Sequence, residues 1–173
     1  MNNTTIVSNE EIILRGNLTI GSNGSLVLER VMLWMNATTN GGLTIRIDAG
    51  GEFRILNSTI TSYTSYYKFE AYGRLSIFHS VISHLWGQAN SPVGGIQVYS
   101  SAVTIFHSTI SDSMSSAVYA DGHYPVVSYS ILNDSVYGLY LEGVSDPDEQ
   151  VLNTLEGGVT ERYATIPTGG GNV

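Results

Sequence analysis

Side chains that could perform acid–base or metal chemistry recur at one position of a repeated stretch. Ser62, His84, Asp112 and Asp134 each stand two residues after an Ile or Leu, in "TITS", "VISH", "TISD" and "ILND". If the copies stack as neighbouring strands, these residues form one column, with the two carboxylates about 5 Å apart. Neighbouring carboxylates repel each other unless a cation or a shared proton relieves them. The column therefore indicates a candidate metal site at Asp112 and Asp134, with Ca²⁺ as the candidate ion.

The same column also has a catalytic interpretation. Asp112 and Asp134, assisted by His84, match the paired acids of glycoside hydrolysis, in which one group protonates the leaving oxygen and the other attacks or activates water. The simpler interpretation is that both aspartates cap turns in solvent. No cofactor other than Ca²⁺ is suggested by any motif.

A second column places two imidazoles on consecutive coils. Its members are Arg30, Asn57, His79, His107 and Tyr129. We predict a solvated outer stack at this position. A metal site made of histidines alone needs a third ligand, and His123 aligns with neither imidazole.

An outward row of large apolar side chains accompanies the histidines. Alternation along the strands places three of them outside, and neighbouring turns add three more. The row comprises Leu56, Phe78, Phe106, Tyr63, Trp86 and Leu85. Exposed rings can stack on sugars or meet a partner, so we predict ligand binding by Leu56, Phe78, Phe106, Trp86 and Tyr63. The alternative is that the loop 86–95 or the C-terminal tail covers the row.

These columns depend on an internal repeat. The stretches "RILNSTITSY" (54–63), "SIFHSVISHL" (76–85), "TIFHSTISDS" (104–113) and "VVSYSILNDS" (126–135) align without gaps, at steps of 22, 28 and 22 residues. Repeats of this length indicate a solenoid. Each unit contains short alternating strands separated by polar or Gly-bearing turns and has no room for a helix.

Stacked copies of the repeat predict three inner apolar ladders. The first comprises Leu28, Ile55, Ile77, Ile105 and Val127. The second comprises Leu33, Ile60, Ile82, Ile110 and Leu132. The third comprises Leu26, Phe53, Leu75, Val103 and Val126. Two small polar columns, headed by Ser58 and Thr61, are expected to bond the turns. We predict an all-β, single-stranded parallel β-helix of about five or six coils with virtually no helix, right-handed by the usual crossover rule.

The ends of the chain depart from the repeat. We predict an N-terminal cap at residues 1–13, coils over 14–143, a C-terminal cap or tail strand at 144–167, and a Gly-rich linker at 168–173. An open solenoid end exposes unpaired backbone. Self-association through the coil ends or the C-terminal tail is therefore a further prediction.

Composition excludes several classes of partner. The net charge is −8, charged residues make up 13%, and Lys68 is the single lysine. A nucleic acid or anionic membrane surface requires clustered Lys and Arg, so neither is expected as a partner. Cysteine is absent, and no apolar run is long enough to span a membrane.

Seven Asn-x-Ser/Thr acceptor sequences favour an extracellular or cell-surface location. They begin at Asn2, Asn3, Asn17, Asn23, Asn36, Asn57 and Asn133. Since the chain is rich in Asn, Ser and Thr, chance supplies some of them. We predict glycosylation at Asn17, Asn23, Asn36, Asn57 and Asn133.

The stretches "FHSTISDSMSSAVYADG" and "YSILNDSVYGLYLEG" resemble the right-handed parallel β-helix repeats of carbohydrate-binding proteins and sugar hydrolases, pectate-lyase-like in fold. The opening "LRGNLTIGSNGSLVLERVML" resembles the first coils of such domains in archaeal and bacterial surface proteins. The resemblance implies the fold but not one activity. A non-catalytic surface module for self-assembly or adhesion is favoured; a glycan-binding module and a polysaccharide lyase or glycoside hydrolase remain alternatives.

Overall fold

The computed structural model describes residues 3–143, 154–156 and 161–166. The first three coils contain β1 (Asn3–Ser8), β2 (Glu11–Leu14), β3 (Leu18–Ile20), β4 (Gly24–Glu29), β5 (Met32–Met35), β6 (Thr44–Ile47), β7 (Glu52–Leu56), β8 (Thr59–Ser62) and β9 (Lys68–Ala71). The next three contain β10 (Arg74–Phe78), β11 (Val81–Leu85), β12 (Ile96–Val98), β13 (Val103–Phe106), β14 (Thr109–Ser113), β15 (Ser116–Asp121), β16 (Val126–Ser128), β17 (Ile131–Asn133) and β18 (Tyr137–Glu142). They are followed by β19 (Thr154–Glu156) and β20 (Glu161–Ile166).

Each of the first six coils contributes one strand to each of three parallel sheets, and β19 and β20 add a seventh strand to two of them. Sheet A has the order β1-β4-β7-β10-β13-β16, sheet B runs from β2 to β19, and sheet C runs from β3 to β20. The described residues contain no helix, and so none long and apolar enough to cross a membrane. The predicted parallel β-helix solenoid of about six coils is confirmed.

The structure gives the predicted repeat register. Arg54 pairs with Ser76, Ser76 with Thr104, and Thr104 with Val126. The first two inner ladders are continuous and buried, and Ile55, Ile77 and Ile105 are completely inaccessible. Burying each such side chain contributes about 1.5–3 kcal/mol, so these ladders are the main source of stability.

The third predicted ladder was wrong at its last member. Val126 is 38% exposed and pairs with the outward Thr104, whereas Leu75 and Val103 face inward. The inward position on the sixth coil belongs to the buried Pro125. Because proline has no N–H to donate to the sheet, it stands just before β16 rather than within a strand.

The corner between sheets A and B repeats one conformation on every coil. Left-handed backbone occurs there at Asn9, Arg30, Asn57, His79, His107 and Tyr129, with φ between 47° and 58°. Asn and His adopt this conformation more readily than most residues. Each corner turns the chain while its N–H still donates to the next coil, as from Asn57 to the Phe78 carbonyl at 3.0 Å.

A buried serine follows most of these corner residues and links the coils. Ser58, Ser80 and Ser108 donate their hydroxyls to carbonyls two residues earlier at 2.7–2.8 Å. Each hydroxyl also accepts the N–H of the equivalent residue one coil earlier, as Ser80 Oγ accepts from Ser58 N at 3.0 Å. The predicted bonding of turns by the first small polar column is therefore confirmed.

The C-to-A corner requires close backbone approach. A Cβ at Gly73 would lie 2.4 Å from the Asp48 carbonyl oxygen and 2.5 Å from that of Gly51. No side chain fits at this distance, so glycine is dictated by packing. The same corner forms the floor of a groove described below.

The chain ends were predicted as caps or tails. The stretch 1–13 contains β1 and most of β2, which pair in parallel with β4 and β5. At the other end, β19 and β20 continue sheets B and C. The remaining residues of 144–167, and the predicted linker 168–173, lie outside the described residues.

Candidate functional site

The outer face of sheet B brings together His84 and Asp112. Both lie at a one-residue bulge, with φ of 61° and 51°, and Asp134 repeats it on the next coil with φ of 50°. A bulge places an extra residue on the outer face without shifting the inward residues on either side. Ile82 and Leu85 are therefore both buried, although two residues separate them.

Two residues that were predicted to lie on the outside, Ser62 and Leu85, are buried. Ser62 lies on a coil without the bulge, faces inward, and donates its hydroxyl to the Met35 carbonyl at 2.6 Å. Leu85 was expected near the outer aromatic row, but it is fully buried. Alternation counted from the inward Ile82 places Leu85 outside because it omits the inserted residue. Ser62 was expected outside only because it aligns with His84, whereas alternation from Ile60 places it inside.

His84 is the centre of a network spanning three coils. Its Nδ1 lies 3.2 Å from Asp112 Oδ2 and 3.2 Å from Thr61 Oγ1. Thr61 Oγ1 is also 2.7 Å from Ser83 Oγ. Sequence reasoning had placed Thr61 and Ser83 in a purely structural polar column.

Tyr66 completes this network from the neighbouring turn. Its hydroxyl donates to Asp112 Oδ1 at 3.0 Å, and its ring lies 5.7 Å from the imidazole of His84. Burial raises the pKa of Tyr66, and the hydrogen bond to Asp112 and that carboxylate's charge raise it further. Sequence reasoning missed Tyr66, since it lies outside the aligned repeat.

The network does not have the arrangement of a nucleophile relay. Such a relay needs the nucleophile on one imidazole nitrogen and the orienting carboxylate on the other. Here Thr61 and Asp112 approach the same nitrogen of His84. Within the described residues, no three His, Cys, Asp or Glu side chains converge as metal ligands.

The predicted ligand-binding residues divide between two corners. Leu56, Phe78 and Phe106 pair along the outer edge of sheet A, where the two Phe rings lie 6.1 Å apart. Tyr63 and Trp86 follow strands of sheet B instead. Tyr63 stacks on Trp34 at 4.2 Å, while Trp86 lies under the Lys68 ammonium at 4.7 Å.

The predicted imidazole stack has the expected geometry. The His79 and His107 rings are nearly parallel, with centroids 5.2 Å apart, and Tyr129 stacks on His107 at the same distance. Phe106 meets His107 edge to face at 4.3 Å. Since stacking covers ring faces, these rings mainly present their edges to solvent.

Sheet C carries a tyrosine-rich face that sequence reasoning missed. Tyr72 stacks on Tyr99 at 4.7 Å, and the Arg46 guanidinium lies 4.4 Å from the Tyr72 centroid. Tyr119 is buried and donates its hydroxyl to Glu142. Burial is the main cause that raises the pKa of both Tyr99 and Tyr119.

A groove of about 520 Å³ runs along the corner between sheets C and A. Glycines form much of its lining, with Tyr72, Glu52 and Arg74 among the other residues. Because close backbone packing already requires Gly51 and Gly73, the shape of the floor follows from the fold itself.

The predicted glycosylation residues differ in accessibility. Asn23 and Asn57 are exposed, and Asn17 is exposed with its Oδ1 accepting the Thr44 N–H at 2.9 Å. Asn36 and Asn133 are half-buried, and Asn133 Oδ1 is enclosed. Asn2 lies outside the described residues.

Comparison of the chain with protein-family models, with curated proteins and with solved structures found no match.

Proposed function

We propose that this solenoid is a non-catalytic surface module that serves self-assembly or adhesion outside the cell. Its composition supports this role, because the surface is polar mainly through hydroxyls and amides and contains a single lysine. The repeats resemble the right-handed, pectate-lyase-like β-helices of surface proteins, and this resemblance supports the same role. Such repeats occur in spacers and adhesins as well as in enzymes.

One observation carries the proposal: two of the three candidate catalytic groups, Asp112 and His84, hold coils together. Asp112 accepts from Tyr66, and its other oxygen lies beside His84, so three consecutive coils are linked through one carboxylate. The imidazole nitrogen that faces this carboxylate is also the one nearest Thr61. Asp112 and His84 are thus occupied by each other and by Tyr66 and Thr61, which supports a role in holding the coils together.

A turnover assay tests this proposal. The purified chain is incubated with neutral and uronic-acid polysaccharides, with and without Ca²⁺, and the products are analysed by mass spectrometry. We expect no product above that of an Asp112→Asn variant. Oligosaccharide release that requires both Asp112 and Asp134 would replace the proposal with a hydrolase or lyase.

Glycan binding is the second candidate, favoured by one exposed aromatic pair. Tyr63 is 50% exposed. Trp34, on which it stacks, is held by a hydrogen bond from Nε1 to Glu11 Oε1 at 2.9 Å. A ring fixed in this way can stack on a sugar with little loss of side-chain entropy. Retention of a glycan by the wild type and by Tyr129→Ala, but not by Tyr63→Ala, would support this function.

A further inference from the structure

On the fourth to sixth coils, the side around the A–B corner carries no Asp, Glu, Lys or Arg side chain. On the fourth coil, the outward residues around the A–B corner are Ser76, Phe78, His79, Val81 and Ser83. The equivalent outward residues are Thr104, Phe106, His107, Thr109 and Ser111 on the fifth coil and Val126, Ser128, Tyr129, Ile131 and Asn133 on the sixth. None of these outward residues is Asp, Glu, Lys or Arg. We call this surface the uncharged face.

Charged side chains lie elsewhere on the solenoid, both on earlier coils and on the far side of the fifth and sixth coils. Sheet C and its corners carry Arg46, Glu70, Asp121 and Glu142. Four charged side chains border the uncharged face: Arg54 on the third coil, Arg74 at the start of β10, and Asp112 and Asp134 at the bulges of sheet B. For a chain of net charge −8, this is the side that a second molecule can approach with the least repulsion.

The uncharged face is also apolar where it is most exposed. Val81, Val126, Ile131 and Tyr129 are 39%, 38%, 37% and 51% exposed, respectively. They surround the half-buried rings of Phe78 and Phe106. Thr109 separates Val81 from Ile131, and Thr104 pairs with Val126. Exposed apolar side chains grouped on one face mark an interaction site more often than residues scattered over the surface do.

We propose that the uncharged face is a lateral interface between two copies of this chain. This inference rests on the proposed assembly function and names the surface that serves it. Five positions on each of three coils, extended onto the third coil by Leu56 and Asn57, approach the roughly 20–30 residues that each partner contributes to a standard interface. The contact requires Asn57 and Asn133, predicted above as glycosylation sites, to be unmodified. A two-fold axis lets the same straight columns face each other, which makes the contact self-complementary.

The size of the face implies a weak dimer. Its outward residues fall slightly short of a standard interface, and its centre is made of Val, Ile and aromatic side chains without a buried ion pair. We expect association at high micromolar concentrations rather than at nanomolar ones. Association should survive high salt, since no charge pair holds the copies together.

Sedimentation velocity over a concentration series tests the interface. Val81→Glu and Ile131→Glu each place a carboxylate in the interface and should weaken dimerisation more than about tenfold, because an unpaired charge then loses its water in an apolar contact. Thr19→Glu adds the same charge at an exposed position of β3 and should leave the dissociation constant unchanged within about twofold. Circular dichroism confirms that each variant is folded.

The outcomes separate this inference from the proposed function. A dimer weakened by both face variants but not by Thr19→Glu supports the interface. A wild type that stays monomeric at every concentration, or a dimer indifferent to both face variants, overturns it. A monomer that retains a polysaccharide until Val81→Glu is introduced also overturns it, since the face then binds glycan. None of these results depends on the turnover assay.

Discussion

Replacing Ser80 by Ala removes one rung of the buried serine ladder. Ser80 Oγ accepts the Ser58 N–H at 3.0 Å and donates to the Phe78 carbonyl at 2.7 Å. After the substitution, the Phe78 carbonyl still accepts the Asn57 N–H at 3.0 Å. The Ser58 N–H loses its partner inside the protein. A buried donor without an acceptor costs about 1–3 kcal/mol, and we expect the free energy of unfolding to fall by that amount.

Urea unfolding followed by circular dichroism measures this loss. Ser76→Ala is the matched control, because Ser76 lies on the same coil, faces outward, and has no side-chain hydrogen bond within the described residues. Its effect should remain within about 0.5 kcal/mol. If the two variants are equally stable, a water or a shifted backbone satisfies Ser58, and the serine ladder does not hold the coils together.

Two further predictions concern the C-to-A corner and the tyrosines. Gly73→Ala should cost about 1–3 kcal/mol in urea unfolding, because the new Cβ meets two backbone carbonyls. Gly21→Ala, whose Cβ would meet no atom within 4 Å, should cost less, and equal losses would contradict the packing argument. Burial raises the pKa of Tyr66, Tyr67 and Tyr99 in the folded state. The stabilisation that these tyrosines give the folded state is therefore complete below about pH 10. It is lost as the pH rises through their folded-state pKa values. The urea midpoint should fall steadily above pH 10; a constant midpoint through pH 11 would refute this.

The fold could be predicted because inward residues repeat in type as well as in position. Ile55, Ile77 and Ile105 occupy equivalent places in copies that align without gaps, and alternation around them gives the inward face directly. The errors arose where the backbone departs from regular alternation. Pro125 displaced one ladder, and the bulge at His84 reversed the sides expected for Ser62 and Leu85.

The candidate site was only partly predictable. The pairing of His84 with Asp112 follows from the repeat, since both stand at the same position of consecutive copies. Tyr66 lies where the copies no longer align, so its contacts depend on how that turn folds. Trp34 keeps the register, opposite Thr61, but its stacking partner Tyr63 lies just after β8. The Tyr72–Tyr99 stack was missed for the same reason, because loops of unequal length precede these strands.

The stability of Asp112→Ala tests most directly whether these polar groups hold coils together or perform chemistry. Asp134→Ala is the control, since Asp134 occupies the same bulge on the next coil, is exposed, and makes no hydrogen bond within the described residues. We predict that Asp112→Ala lowers the free energy of unfolding by about 0.5–1.5 kcal/mol more than Asp134→Ala does, through the loss of the contacts with Tyr66 and His84. Both variants place alanine at the same left-handed position, so that cost cancels in the comparison. An increase in stability on removing Asp112, as occurs at residues retained for activity at the expense of stability, would contradict the account.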